Sequence, residues 1–279
     1  MSLFKKQRFL VLLLCFMSEI TQAQLLISPT RVVLDERQRS AKVTLINPTN
    51  QTRTYRIEWE EKIAKSIGGY KTLEKNGFAN SDIKLASPML RVSPRQVTLQ
   101  PNEKQSVRLM FRRPKSLTDS EYRSHLAFKP LPIQKKTNNS ENSGVKIEIE
   151  TLLAFTIPVI ARQGSVDASV DINKIQVIKN QQNTSAQVEL TIDKAGKYST
   201  TGNMLVYWKP TSGAAEQVVA QVHGYNIYPD QSQYQLSLDW PDFNAKQGSL
   251  RVEYIGKKEF NGQVFINKTF DLASNLIIK

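Results

Sequence analysis

Cysteine is almost missing: Cys15 is the only one in 279 residues. One thiol closes no internal disulfide and cannot ligate a zinc ribbon or an iron–sulfur centre. Histidine is nearly as scarce. His125 and His223 stand far apart, and neither has another His or Cys at metal-ligand spacing. The one long apolar run, 9–17, is short of the roughly 20 residues that cross a bilayer, so a polytopic membrane protein is excluded. Glycine and proline, 12 each, are too few for a collagen-like or low-complexity chain. No phosphate-cradling glycine loop and no Gly-x-Ser-x-Gly elbow occurs. Neither a cofactor nor a small-molecule substrate is therefore expected, and the chain does not read as an enzyme.

What is present begins with a targeting pattern. Lys5, Lys6 and Arg8 precede the apolar run, and Thr21-Gln22-Ala23 offers small residues for cleavage. This predicts a signal peptide over 1–23 and an exported product. Leu14 before Cys15 is too large for a lipoprotein signal, so Cys15 leaves with the peptide. Cleavage takes Lys5, Lys6, Arg8 and Glu19 with it, and the net charge falls from +13 to +11. The remaining positive charge is scattered over Arg31, Arg53, Arg56, Arg91, Arg95, Arg108, Arg112, Arg113 and Arg123 rather than gathered in a stripe. Nucleic acid is not the expected partner.

The exported part reads as strands nearly throughout. Tyr55, Ile57 and Trp59 alternate with Arg56, Glu58 and Glu60; Val107, Leu109 and Phe111 alternate with Arg108, Met110 and Arg112. Alternation of this kind is the mark of half-buried strands. An extended run around Pro29 covers 25–35. Turns follow at Asn47-Pro48 and Gln100-Pro101-Asn102-Glu103, and a linker at Gln163-Gly164-Ser165. Beyond it, strands are predicted over 166–178, 184–192, 203–208, 217–228, 232–238, 248–254 and 262–272. The fold class is all-β: two β-sandwich domains, 24–163 and 164–279, joined by a short linker.

The most informative stretch is 147–160, read as one long strand. Ile147, Ile149, Leu153, Phe155, Ile157 and Val159 share one parity with Thr151. The other parity starts charged, with Glu148 and Glu150, and ends apolar. Two readings fit: an ordinary half-buried core strand, or a strand whose first half projects beyond its own core and offers an apolar ladder and free backbone groups to a partner. The polar loop 134–143 before it gives the strand room to reach outward.

Four segments carry a family resemblance. They are Ile27-Ser28-Pro29-Thr30-Arg31-Val32; Val92-Ser93-Pro94-Arg95-Gln96-Val97-Thr98-Leu99-Gln100-Pro101 with Gln105-Ser106-Val107-Arg108-Leu109; Glu121-Tyr122-Arg123-Ser124-His125-Leu126; and Ile157-Pro158-Val159-Ile160-Ala161-Arg162. Together they resemble the periplasmic chaperones of the chaperone–usher pilus pathway, the PapD-like family, and its archaic branch in particular. The resemblance implies two immunoglobulin-like domains and a periplasmic location. It also implies capture of exported pilus or fimbrial subunits by donor-strand complementation, then delivery to an outer-membrane usher. By position, Ile147, Ile149, Thr151, Leu153 and Phe155 correspond to the donor strand. Arg31 corresponds to the residue that anchors the subunit's C-terminal carboxylate. The lysine expected late in the last strand is replaced by Pro158, and Arg123 is the candidate second anchor, ahead of Lys129 and Arg162. The resemblance also allows self-association of the free chain. Two other readings compete: an exported carbohydrate- or surface-binding sandwich using Tyr207, Trp208, Tyr225 and Trp240, and an exported hydrolase using His125.

Overall fold

The computed structural model describes residues 25–74, 83–132, 152–179 and 184–278. The expected signal peptide, Cys15, Ile147, Ile149 and Thr151 lie outside these residues.

Two β-sandwiches follow one another. The first is built from β1 (Leu26–Ser28), β2 (Val32–Leu34), β3 (Ser40–Ile46), β4 (Arg53–Glu60), β7 (Leu90–Ser93), β8 (Gln96–Leu99), β9 (Lys104–Phe111), β10 (Ser120–Pro130) and β11 (Phe155–Gln163); between them lies a small hairpin, β5 (Lys62–Ala64) and β6 (Tyr70–Thr72). The second contains β12 (Ser169–Lys179), β13 (Ala186–Ala195), β14 (Thr200–Lys209), β15 (Gln217–Ile227), β16 (Gln233–Trp240), β17 (Ser249–Gly256), β18 (Val264–Asp271) and β19 (Leu276–Ile278). The strand orders are β1-β3-β9-β7 against β2-β11-β10-β4-β8, and β16-β13-β12-β19 against β15-β14-β17-β18.

The alternation read from the sequence fills the first core. Tyr55 and Ile57 of β4 point inward, as do Val107, Leu109 and Phe111 of β9. The extended run around Pro29 is not one strand but two. β1 pairs with β3 in one sheet, and β2 pairs in parallel with β11 in the other. The chain changes sheets at 29–31, which sets Arg31 at the start of β2.

Two features depart from simple alternation. In β10 every residue from Ser120 to Phe128 is buried, because its outer face lies under the second sandwich and the hairpin. The strand expected over 147–160 is, within the described residues, a strand only from Phe155. Leu152 and Leu153 are exposed and pair in no ladder among the described residues. The break has a cause. Leu131 donates its N–H to the Thr54 carbonyl on β4. The nitrogen of Pro130 therefore faces β11, with no proton to give.

The hairpin β5–β6 turns through Gly68 and Gly69, at φ +88° and +73°, where a β-carbon would be strained. It leans on the second sandwich. Ala64 N donates to Asp230, Gln235 N donates to the Ser66 carbonyl, and Ala64 packs in the second core, as does Ile160 of β11.

Candidate functional site: the cleft between the sandwiches

Register places the cleft residues in a row. Val32 pairs with Val159, so Arg31 lies beside Pro158; Pro158 pairs with His125, and His125 with Glu60. β2 covers β11 only over Val159–Ala161. On that side the edge of β11 over Phe155–Pro158 has no strand partner among the described residues. A segment laid in parallel along that edge would run into the start of β2 and end at Arg31.

Arg31 is buried and engages the second sandwich. Its Nη1 donates to Asn226 Oδ1 at 3.0 Å, and its Nη2 to Ser199 Oγ at 3.0 Å and Glu259 Oε1 at 3.1 Å. Glu259, in a short turn at Lys258–Phe260, also lies 3.3 Å from Arg162 and is about one-fifth exposed, so it stands at the mouth. Arg162 in turn holds Glu121 at 3.0 Å, and Glu121 accepts the Ser199 N–H at 2.9 Å and its hydroxyl at 2.8 Å. Arg123 forms a short ion pair with Asp230; the two side chains are 3% and 2% exposed. The Tyr228 ring lies 3.9 Å from the Arg123 guanidinium carbon and 5.9 Å from that of Arg31, close enough for cation–π attraction. Lys129 sits elsewhere, half-exposed against Glu58 and Glu60.

His125 is buried, and neither ring nitrogen has a hydrogen-bond partner. Burial, and then the charges of Arg123 and Lys62, pull its pKa down to about 3. The imidazole is therefore neutral at pH 7, and it makes no hydrogen bond to a hydroxyl or carboxylate. Below pH 6.5 the unfolded chain takes up a proton that the folded chain refuses. Stability must then fall as pH drops from about 6.5 toward 3. Between pH 7 and pH 5 the loss from this group is about 2 kcal/mol. Urea unfolding at the two pH values should show that loss reduced by the same amount in His125→Phe; an unchanged difference would refute it.

Of the expected ladder, Phe155 opens β11 and packs against the first core, and Leu153 is 53% exposed just before it. The aromatic platform does not form. Trp240 is buried against Phe243 with ring centroids 4.7 Å apart, and Trp208 and Tyr225 pack on the same core. Among the described residues no group of three His, Cys, Asp or Glu could hold a metal ion. The sequence reading missed Ser199, Asn226, Tyr228, Asp230 and Glu259, which meet Arg31 and Arg123 from the second sandwich. No local pattern marks such distant partners. It also missed the β5–β6 hairpin, although Gly68-Gly69 between short polar runs is a turn signal.

Residues 24–162 match the family described as pili and flagellar-assembly chaperone, PapD N-terminal domain. Among curated proteins no match is found. Solved structures with a similar fold include the YadV chaperone, with 12% identity, 90% of this chain and 100% of that one covered, and a TM-score of 0.46. The Pseudomonas aeruginosa CupB2 chaperone gives 14%, 89%, 100% and 0.42. The CsuC–CsuE chaperone–tip adhesion subunit complex from archaic Csu pili of Acinetobacter baumannii gives 14%, 92%, 100% and 0.45.

Proposed function

Because the chain belongs, through residues 24–162, to the pili and flagellar-assembly chaperone family, we propose that it is a periplasmic, non-enzymatic chaperone that holds exported pilus subunits by donor-strand complementation and passes them to an outer-membrane usher. Residues 24–163 are taken as the capturing domain and 164–279 as the domain that closes the cleft.

One observation carries this reading: among the described residues the edge of β11 over Phe155–Pro158 has no strand partner, and it ends at Arg31. Strand addition draws its affinity from main-chain hydrogen bonds and its selectivity from alternate side chains. The free edge supplies the first. Phe155, Leu153, Thr151, Ile149 and Ile147 are the side chains that would supply the second. The subunit strand ends where β2 begins, so its terminal carboxylate arrives at Arg31, whose guanidinium suits a carboxylate. Glu259 holds that guanidinium in the free chain and gives way to the incoming group. Arg123 serves as second anchor by the same exchange, with Asp230 yielding.

Co-expression with a pilus subunit and affinity recovery from periplasm tests the ladder. Leu153→Asp replaces a side chain whose full burial is worth about 1.5–3 kcal/mol. Recovery should fall roughly tenfold or more. Recovery equal to wild type would remove Leu153 from the contact surface.

A further inference from the structure

Pro158 interrupts the polar side chains of the cleft-facing row. Arg31 stands on one side of it and His125 on the other. Strands are 4.7–4.9 Å apart, so two steps across the sheet put the two backbones about 10 Å apart. Pro158, which stands between them, contributes no polar side-chain atom.

Tyr70 lies against the His125 end of this row. Its ring meets His125 edge-on with centroids 5.1 Å apart, and its hydroxyl lies 3.2 Å from the Tyr228 hydroxyl, which is itself 3.5 Å from Arg31 Nη1. Tyr70 rides on the hairpin that turns through Gly68 and Gly69, and it is 42% exposed. The ring against the imidazole is thus half-exposed and belongs to neither core. The imidazole has an N–H to donate, and both its nitrogens are buried without a partner. A buried polar group left unpaired is costly, so a site that keeps one has a use for it.

We propose that His125 donates a hydrogen bond to the terminal carboxylate of the captured strand, opposite Arg31, and that Tyr70 occupies this position in the free chain. The inference rests on the capture reading above. It adds a neutral contact residue where the row lacks a cation.

The test uses the full mature chain and a synthetic peptide of the C-terminal strand of a co-purifying subunit, made once as the free acid and once as the amide. Wild type should bind the acid more tightly. His125→Phe keeps the ring shape and removes both nitrogens. It should bind the acid roughly 10- to 100-fold more weakly, the range of a hydrogen bond to a charged group. Amide binding and thermal stability should be undiminished. His125→Asn and His125→Gln retain a donor at the two ring-nitrogen positions, and one of them should recover part of the acid preference. If His125→Phe binds the acid as wild type does, or weakens acid and amide alike, the inference is wrong. If Arg31→Ala also leaves the acid preference intact, the capture reading itself has failed.

Discussion

Arg31→Ala should lower subunit capture at least about 30-fold while the chain still folds. Truncating one member of a buried, hydrogen-bonded charge pair at an interface costs about 2–5 kcal/mol. At 1.4 kcal/mol per tenfold, the lower bound gives that factor. The fold tolerates the loss because Arg31's neighbours have other partners. Glu259 keeps Arg162 at 3.3 Å and its access to water, and Ser199 keeps Glu121. Titration calorimetry with a purified subunit, beside a circular dichroism melt of the free variant, separates capture from folding. Capture at wild-type affinity by a folded Arg31→Ala chain would end the anchoring role. Arg31→Lys should fall between the two, since an ammonium keeps the charge but loses the planar fork.

The largest effect on stability belongs to Arg123. Its ion pair with Asp230 is almost wholly dry, and Asp230 also accepts the Ala64 N–H. Breaking such a pair from one side leaves a buried charge uncompensated, at about 3–5 kcal/mol. Arg123→Ala should therefore lower the unfolding free energy by that amount, measured by urea denaturation at pH 7. Replacing both partners with apolar side chains, Arg123→Met with Asp230→Leu, should cost far less than the single change. A double variant as damaged as Arg123→Ala would contradict the pair. The same double variant also reports on capture. If its affinity for a subunit equals that of wild type, Arg123 is a bracket between the sandwiches and not an anchor.

The sheets were legible in the sequence because their signal is local. Tyr55-Ile57 and Val107-Leu109-Phe111 announce a buried face by alternation alone, and each of those side chains is in the first core. Alternation is silent where a second surface covers the first. His125 and Arg123 sit at positions a lone sandwich would expose, and the second sandwich buries both. Alternation misled at 152–154, which pair in no ladder among the described residues because Pro130 on the neighbouring strand has no proton to give. Arg31 could be singled out from its place in a family signature. Its partners Asn226, Ser199 and Glu259 could not, since they lie far along the chain and follow no period.

The hairpin has one more effect. Ala64 belongs by sequence to the first half and by packing to the second, and Ile160 of β11 does the same. Asp230, Gln231 and Gln235 grip the hairpin backbone and Glu259 bridges two arginines from the other side. Neither sandwich can lose its structure without stripping contacts from the other. Heat should therefore meet two architectural units but a single cooperative transition, with calorimetric and van't Hoff enthalpies in agreement.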